Sequence, residues 1–265
     1  KEFPSTSFSC LIDNLETATF VSEVFAQQNR SITVCIDLNV GMNRTGITPD
    51  SALGLFDNCR QLKGISIKGL HAYDGHIRAA DFAERKNQCD VAFARVVHLK
   101  QEIKRLFNTE LKIIAGGTPT YTIHCKRNEI ECSPGTFIYW DKGYMDTLPE
   151  QTFVLAALVV TRVISKPAPD TICVDLGHKS IASENPLPQR VAFLNASGLQ
   201  PVGHSEEHMV LKVDDGKTYR IGDVLYGVPF HICPTVALYE SAAVVENGRL
   251  TENWKVTSRT RKISI

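Results

Sequence analysis

No run of apolar residues in this 265-residue chain reaches membrane length; the longest, Val154 to Val160, is no longer than one strand. Net charge is missing as well. Lys+Arg and Asp+Glu stand at 29 each, and no basic run is interleaved with aromatics. A neutral surface offers no footprint for nucleic acid or an anionic membrane, so neither is expected as a partner. No Cys-x-x-Cys pair occurs among the eight cysteines, and several of them lie in strand-like apolar runs, such as Cys35 in 32–37 and Cys173 in 171–175. That usage fits buried free thiols in a reducing compartment. No charged-then-apolar leader opens the chain, and a cytoplasmic location is expected. Internal repeats and low-complexity segments are absent. What is there is ordinary globular material: 43% hydrophobic and 22% charged residues, enough for one large domain or two.

Residues 8–140 alternate short strands with amphipathic helices. Strands are predicted at 8–12, 32–39, 65–73, 111–115 and 129–138. Asn14 caps a helix with Leu15, Val21, Val24 and Phe25 on its apolar side. Thr48 and Pro49 open a second helix. A third, from about 79 to 107, repeats Phe82, Cys89, Phe93, Val96, Ile103 and Phe107 at helical spacing. This order implies a parallel sheet, open or closed into a barrel. Polar and glycine clusters follow the strands at 39–46, 73–76, 116–120 and 133–136. They therefore fall at the carboxyl ends, where both parallel architectures bind ligands. After about Asp146 the texture changes to strands at 153–165, 171–181, 191–195, 209–213 and 224–228. Hairpin turns are predicted at Asp215-Gly216 and Asn247-Gly248. Residues 1–146 and 147–265 are thus expected to form two domains, the second all-β.

Five segments carry candidate chemistry. In Asp37-Leu-Asn-Val-Gly-Met-Asn-Arg44-Thr-Gly46, the arginine can hold an anion or phenolate and the glycines admit a ligand close to backbone. An ordinary strand–loop junction with a surface arginine reads the same. Gly69-Leu-His71-Ala-Tyr73-Asp-Gly75-His76 brings a histidine and a tyrosine to a strand end, although a satisfied, half-buried His71 is the plainer reading. Gly116-Gly117-Thr118-Pro119-Thr120 and Ser133-Pro134-Gly135-Thr136 each join glycine to hydroxyl after a strand. Two such loops at one end of a sheet can gather a single phosphate. In Pro229-Phe-His231-Ile-Cys233-Pro-Thr235, read as a strand, His231 and Cys233 share a face and can chelate one metal, zinc by donor type. A buried cysteine beside a chance histidine is the alternative. Ser205-Glu206-Glu207-His208 offers an acid, a base or a solvated loop.

Together these segments resemble the pyridoxal-phosphate (PLP) dependent D-threonine aldolases and D-serine dehydratases, which share a barrel with alanine racemase. The likeness runs in order over nearly the whole chain. It implies an α/β fold: a (β/α)8 barrel of alanine racemase type, incomplete here, followed by a C-terminal β domain carrying the metal. Asp37–Gly46 is similar to the family's Asp-x-x-x-Gly-x-x-Arg-x-Gly strand, which gives Arg44 the role of a cofactor-contacting arginine. Tyr73 would face the cofactor. Gly117, Thr118, Gly135 and Thr136 would bind its phosphate. His231 and Cys233 would hold the metal, and His208 or His204 would act as a nearby acid–base group.

Two departures from the family pattern matter. The family's Schiff-base lysine lies at the end of the first barrel strand, and no segment matches that strand; Lys68, Lys142 and Lys179 lie in no matching motif. About 100 further residues, including that lysine, are expected upstream. The aldolases pair His with Asp at the metal, whereas the dehydratases use His-x-Cys. Cys233 therefore favours zinc over manganese and raises the dehydratase reading. The expected activity is retro-aldol cleavage of small β-hydroxy D-amino acids to glycine and an aldehyde. Alternatives are a D-serine dehydratase, and a racemase or non-catalytic PLP-binding protein. The resemblance also implies a homodimer.

Overall fold

β-Branched runs separated by amphipathic stretches set the order of elements over residues 8–135. In a computed structural model that describes residues 3, 5–213 and 218–260, the strands and helices alternate. They are β1 (Ser9–Ile12), α1 (Leu15–Ala26), β2 (Ile32–Asp37), α2 (Pro49–Cys59), β3 (Ile65–Ala72), α3 (Phe82–Phe107), β4 (Lys112–Ala115), α4 (Tyr121–His124) and β5 (Ile130–Cys132). Every neighbouring pair is parallel and the spatial order is β1-β2-β3-β4-β5. Parallel neighbours in chain order require crossovers, which the helices supply. Asn14 Oδ1 accepts from Thr17 N at 2.8 Å to start α1, and Asp81 Oδ1 does the same for Glu84 N at 2.8 Å in α3. The core joins Val34, Ile36, Leu70 and Ile113 of the strands to Ala52, Phe56, Val96, Leu99 and Ile103 of the helices.

Two local readings change. Helix α1 buries only part of the side expected: Val21 packs on the core, but Leu15 and Val24 are 42% and 40% exposed, while Ala18 and Ser22 face inward. Ser22 accepts from Gly64 N at 2.9 Å, and a Cβ on Gly64 would lie 1.9 Å from the Ser22 carbonyl oxygen. Only small groups fit that crossing. The strand predicted over 129–138 shrinks to β5. Pro134 removes a ladder donor, and residues 136–138 turn in a 3-10 helix.

The chain divides into two compact units, Lys1–Gly135 and Thr136–Ile265. The division precedes the change in sequence texture because the segment after Thr136 packs on the second unit. Trp140 is 1% exposed, stacks on Tyr144 and meets the Phe153 ring edge-on. The second unit holds α5 (Lys142–Thr147), β6 (Val159–Ala168), β7 (Thr171–Val174), β8 (Val191–Phe193), β9 (Gln200–His204), β10 (Met209–Lys212), β11 (Val224–Pro229), α6 (Ile232–Val236), β12 (Ser241–Glu246) and β13 (Arg249–Lys255). Six strands form an antiparallel sheet in the order β8-β11-β6-β7-β10-β9, with Val163, Ile172, Val174, Met209, Leu211 and Leu225 in its core. The expected hairpin at Asn247-Gly248 joins β12 to β13, both residues at positive φ (51° and 74°). Asp215-Gly216 lies outside the described residues. No helix among the described residues is long and apolar enough to cross a membrane.

Candidate functional site

In the first unit the loops after β2, β3 and β4 lie at the carboxyl ends of adjacent parallel strands. Asp37, 7% exposed, closes β2: its Oδ1 lies 2.7 Å from His71 Nδ1 and its Oδ2 accepts from the Thr45 hydroxyl at 2.8 Å. Asn39 Oδ1 accepts from Gly41 N and Asn43 N at 3.0 and 3.1 Å, and Gly46 turns back at φ +97°. A Cβ on Gly46 would sit 2.7 Å from the Leu38 and Asn39 backbone. The folded loop presents the Arg44 guanidinium 4.8 Å from the Tyr73 ring centroid. The same ring fills the space that a Cβ would need at Gly75 (2.3 Å from the hydroxyl) and at Gly117 (2.9 Å from Cε2). A cation, an aromatic ring and bare backbone thus meet at one place, which suits a planar, anionic aromatic ligand such as PLP.

Gly116–Thr120 follows β4, and Thr118 begins a 3-10 turn over Thr118–Thr120 that runs into α4. Ser133 Oγ donates to Gly116 O at 3.3 Å, so the loops after β4 and β5 are tied together. Gly135 is exposed. Beneath the Gly116–Thr120 loop is a carboxylate to which the sequence motifs assigned no role. Asp74, 3% exposed, accepts from Gly117 N at 3.0 Å, from the Thr120 hydroxyl at 2.6 Å and from His124 Nε2 at 2.8 Å. Burial alone would raise its pKa; the hydrogen bonds from His124 and Thr120 outweigh that and hold the carboxyl below its usual range.

In the second unit His231 and Cys233 are not in a strand, as the alternation argument required. His231 is the extended N-cap of the short helix α6, and Cys233 lies in its first turn. The two side chains nevertheless influence each other: Cys233 raises His231 to about 9, and His231 lowers Cys233 below the ordinary thiol value, although burial opposes both shifts. Glu184 Oε1 lies 2.5 Å from His231 Nδ1, which leaves Nε2 as the nitrogen able to bind a metal. Asp141, 1% exposed, accepts from Ile232 N at 3.1 Å and from Tyr144 N at 2.9 Å, fixing the turn between His231 and Cys233. Thr136, expected at a phosphate, places its hydroxyl 3.4 Å from Cys233 Sγ. An imidazole with a carboxylate behind it, beside a thiol poised to ionise, is a donor set that fits zinc.

Neither candidate acid–base histidine adjoins this pair. His204 ends β9; its Nδ1 meets Arg190 at 2.7 Å and its Nε2 meets the Leu176 carbonyl at 3.0 Å. Since arginine only donates and a carbonyl only accepts, the ring is a neutral tautomer with both nitrogens engaged. Burial, with His178 at 4.3 Å between ring centroids, lowers its pKa to about 4. His208 is exposed on a tight hairpin, its carbonyl accepting from Ser205 N at 2.9 Å. Asp74 and Thr120 lie in segments singled out in the sequence but had no role of their own there, and His124, Glu184 and Asp141 lie in none of them. Asp141 alone left a local signal, an N-cap position before a helix.

Comparison with known proteins agrees with this layout. Residues 2–142 match the family model described as alanine racemase, N-terminal domain, and residues 156–245 match one described as "Putative serine dehydratase domain". A D-threonine aldolase from an Arthrobacter species is 28% identical over 263 residues, 95% of this chain and 67% of that protein. A 3-hydroxy-D-aspartate aldolase from Paracoccus denitrificans is 23% identical, covering 94% of this chain and 66% of that protein. The chain thus spans about two thirds of the length of these relatives. The crystal structure of a D-threonine aldolase from Filomicrobium marinum superposes with a TM-score of 0.87 at 25% identity, over 96% of this chain and 70% of that one. The model that matches the parallel unit covers more than half of the 265 residues, and the chain therefore belongs to the alanine racemase N-terminal domain family, with an antiparallel β unit after it.

Proposed function

We propose that the protein carrying this chain is a PLP- and zinc-dependent lyase for small β-hydroxy D-amino acids, cleaving D-threonine to glycine and acetaldehyde. One observation carries this reading: His231, with Glu184 on its Nδ1, stands two residues from Cys233 at the start of α6, a donor pair that would suit a metal. Bound PLP supplies an electron sink at the substrate's α-carbon, and bound zinc supplies a Lewis acid for the β-hydroxyl. Arg44 and Tyr73 would hold the cofactor ring, and the Gly117-Thr118 loop, with Gly135 of the loop after β5, would take the phosphate. Glu184 keeps the proton of His231 on Nδ1 and aims Nε2 outward. Asp141 holds the backbone between the ligands so that imidazole and thiolate stay at chelating distance. The Schiff-base role is assigned to none of Lys68, Lys142 and Lys179, which lie in no matching motif. The resemblance also supports a cytoplasmic homodimer.

Cys233 favours a second reading. A thiolate ligand is the dehydratase pattern, and D-serine would then give pyruvate and ammonia. Assays of the whole protein with PLP and zinc decide: acetaldehyde and glycine in equal amounts from D-threonine support the aldolase, and pyruvate from D-serine without acetaldehyde from D-threonine moves the assignment to the dehydratase. Neither product from a protein that carries bound PLP would overturn both.

A further inference from the structure

Asp74 lies inside the Gly69–His76 segment without a role assigned to it there, yet it accepts three hydrogen bonds. Its Oδ1 receives Gly117 N and the Thr120 hydroxyl; its Oδ2 receives His124 Nε2, and the Cys89 thiol lies 3.8 Å away. Behind His124 stands Arg127, with a guanidinium nitrogen 3.1 Å from Nδ1. Arginine has only protons to give, so Nδ1 accepts and the imidazole proton sits on Nε2, facing Asp74. Arg127 is fixed in turn by the Asp90 carboxylate and by the Phe93 ring, 3.9 Å from its central carbon. A chain of oriented groups therefore runs from α3 through a neutral imidazole to one carboxylate and ends on the backbone of the Gly116–Thr120 loop. Gly116 completes the fit: its φ is +88°, and a Cβ there would lie 2.8 Å from the His124 ring.

A metal ion is the other reading of Asp74, Cys89 and His124, whose ligand atoms lie within 4.8 Å of one another. The surroundings oppose it. Arg127 stands 3.7 Å from Cys89 Sγ, burial pushes that thiol up to about 12, and both carboxylate oxygens already receive protons.

We infer that Asp74 is a positioning residue: through Gly117 N–H and Thr120 it fixes the loop that receives the cofactor phosphate. The inference rests on the PLP reading above. It explains why the Gly117 amide points inward, away from any ligand, and gives the loop its shape instead of a direct contact. It also makes the requirement at position 74 specific for a carboxylate. Asparagine has one acceptor and one donor at its tip. Facing His124 Nε2–H with its acceptor, it must turn its N–H2 toward Gly117 N–H; facing the loop with its acceptor, it opposes His124 donor to donor. His124 cannot relieve this, because Nδ1 is committed to Arg127.

The test uses the whole protein, stripped of cofactor and titrated with PLP, for wild type, Asp74→Asn, Thr120→Val, Thr120→Ser and Cys89→Ala. Dissociation constants come from cofactor absorbance, the phosphate environment from its 31P resonance, and folding from circular dichroism. Asp74→Asn should raise the PLP dissociation constant about tenfold or more, the equilibrium equivalent of one lost hydrogen bond to a charged group, and shift the 31P line. Thr120→Val should move both in the same direction, Thr120→Ser should restore them, and Cys89→Ala should leave both at wild-type values. If Asp74→Asn does not fold, the valine and serine pair at 120 decides alone. Folded variants with lowered melting temperature but wild-type PLP affinity and 31P shift would make Asp74 merely structural and end the inference. Metal lost on Cys89→Ala, with PLP affinity, would overturn it in favour of the ion. A wild-type protein that takes up no PLP would instead strike the functional reading itself.

Discussion

A carboxylate on Nδ1 leaves His231 one nitrogen for a metal, and Glu184 is that carboxylate. Glu184→Gln keeps an acceptor there but removes the charge that makes the imidazole a stronger base. Zinc affinity should fall about tenfold or more, in line with other outer-shell partners. Competition with a chromophoric chelator measures it, and an unchanged affinity would remove Glu184 from the site. His204 makes a prediction of the opposite kind, about stability alone. Its folded pKa, about 4, lies below the unfolded value of 6.5, so the unfolded chain takes up the proton first as pH falls. The stabilisation is complete above about pH 6.5 and is lost progressively down to about pH 4. After allowance for solvent screening it amounts to ~1–2 kcal/mol. Urea unfolding at pH 7.5 and 5 should show this drop, and His204→Gln should flatten it. An equal slope in wild type and variant would show that other groups cause the acid sensitivity.

At the scale of elements, α3 runs through 26 residues from a single well-made cap. Asp81→Ala removes the acceptor for Glu84 N, and the cost should be ~1 kcal/mol in denaturant midpoint with activity retained. Such elements were legible because their signals are local. β2 is a β-branched run, β3 opens with Ile65 and Ile67 on alternate positions, and α3 repeats its apolar residues at helical spacing. β9 was missed because Pro201 and Gly203 depress its strand character; it survives as an edge strand paired only with β10. His231–Cys233 looked like strand because the run continues from β11, but Asp141, 91 residues away, takes the Ile232 amide and helps turn the backbone into α6. Asp74 was illegible for the same reason: its partners are 43 to 50 residues distant. Local pattern shows where a loop is, whereas the groups that shape it come from elsewhere in the chain.

For the molecule as a whole, the division of labour between two units has a measurable consequence. His231, Cys233, Glu184 and Asp141 all belong to the second unit, 136–265, whereas Arg44, Tyr73 and Asp74 belong to the first. A ligand that binds only the folded state adds stability in proportion to the logarithm of one plus its concentration over its dissociation constant, about 4 kcal/mol at a thousand times that constant. Zinc should place that stabilisation where its ligands are. Chelation should therefore speed amide exchange at Ile232 and Tyr144, both held by Asp141, and along β11. Exchange at Val34, Ile36 and Leu70 in the parallel sheet should stay as slow as before, and PLP absorbance should persist. Activity should vanish with the metal and return on adding zinc, since a Lewis acid at the β-hydroxyl is needed on either the aldolase or the dehydratase route. Faster exchange in the parallel sheet, with no change at residues 232–236, would place the metal in the first unit and return the Asp74, Cys89 and His124 cluster to consideration as its site.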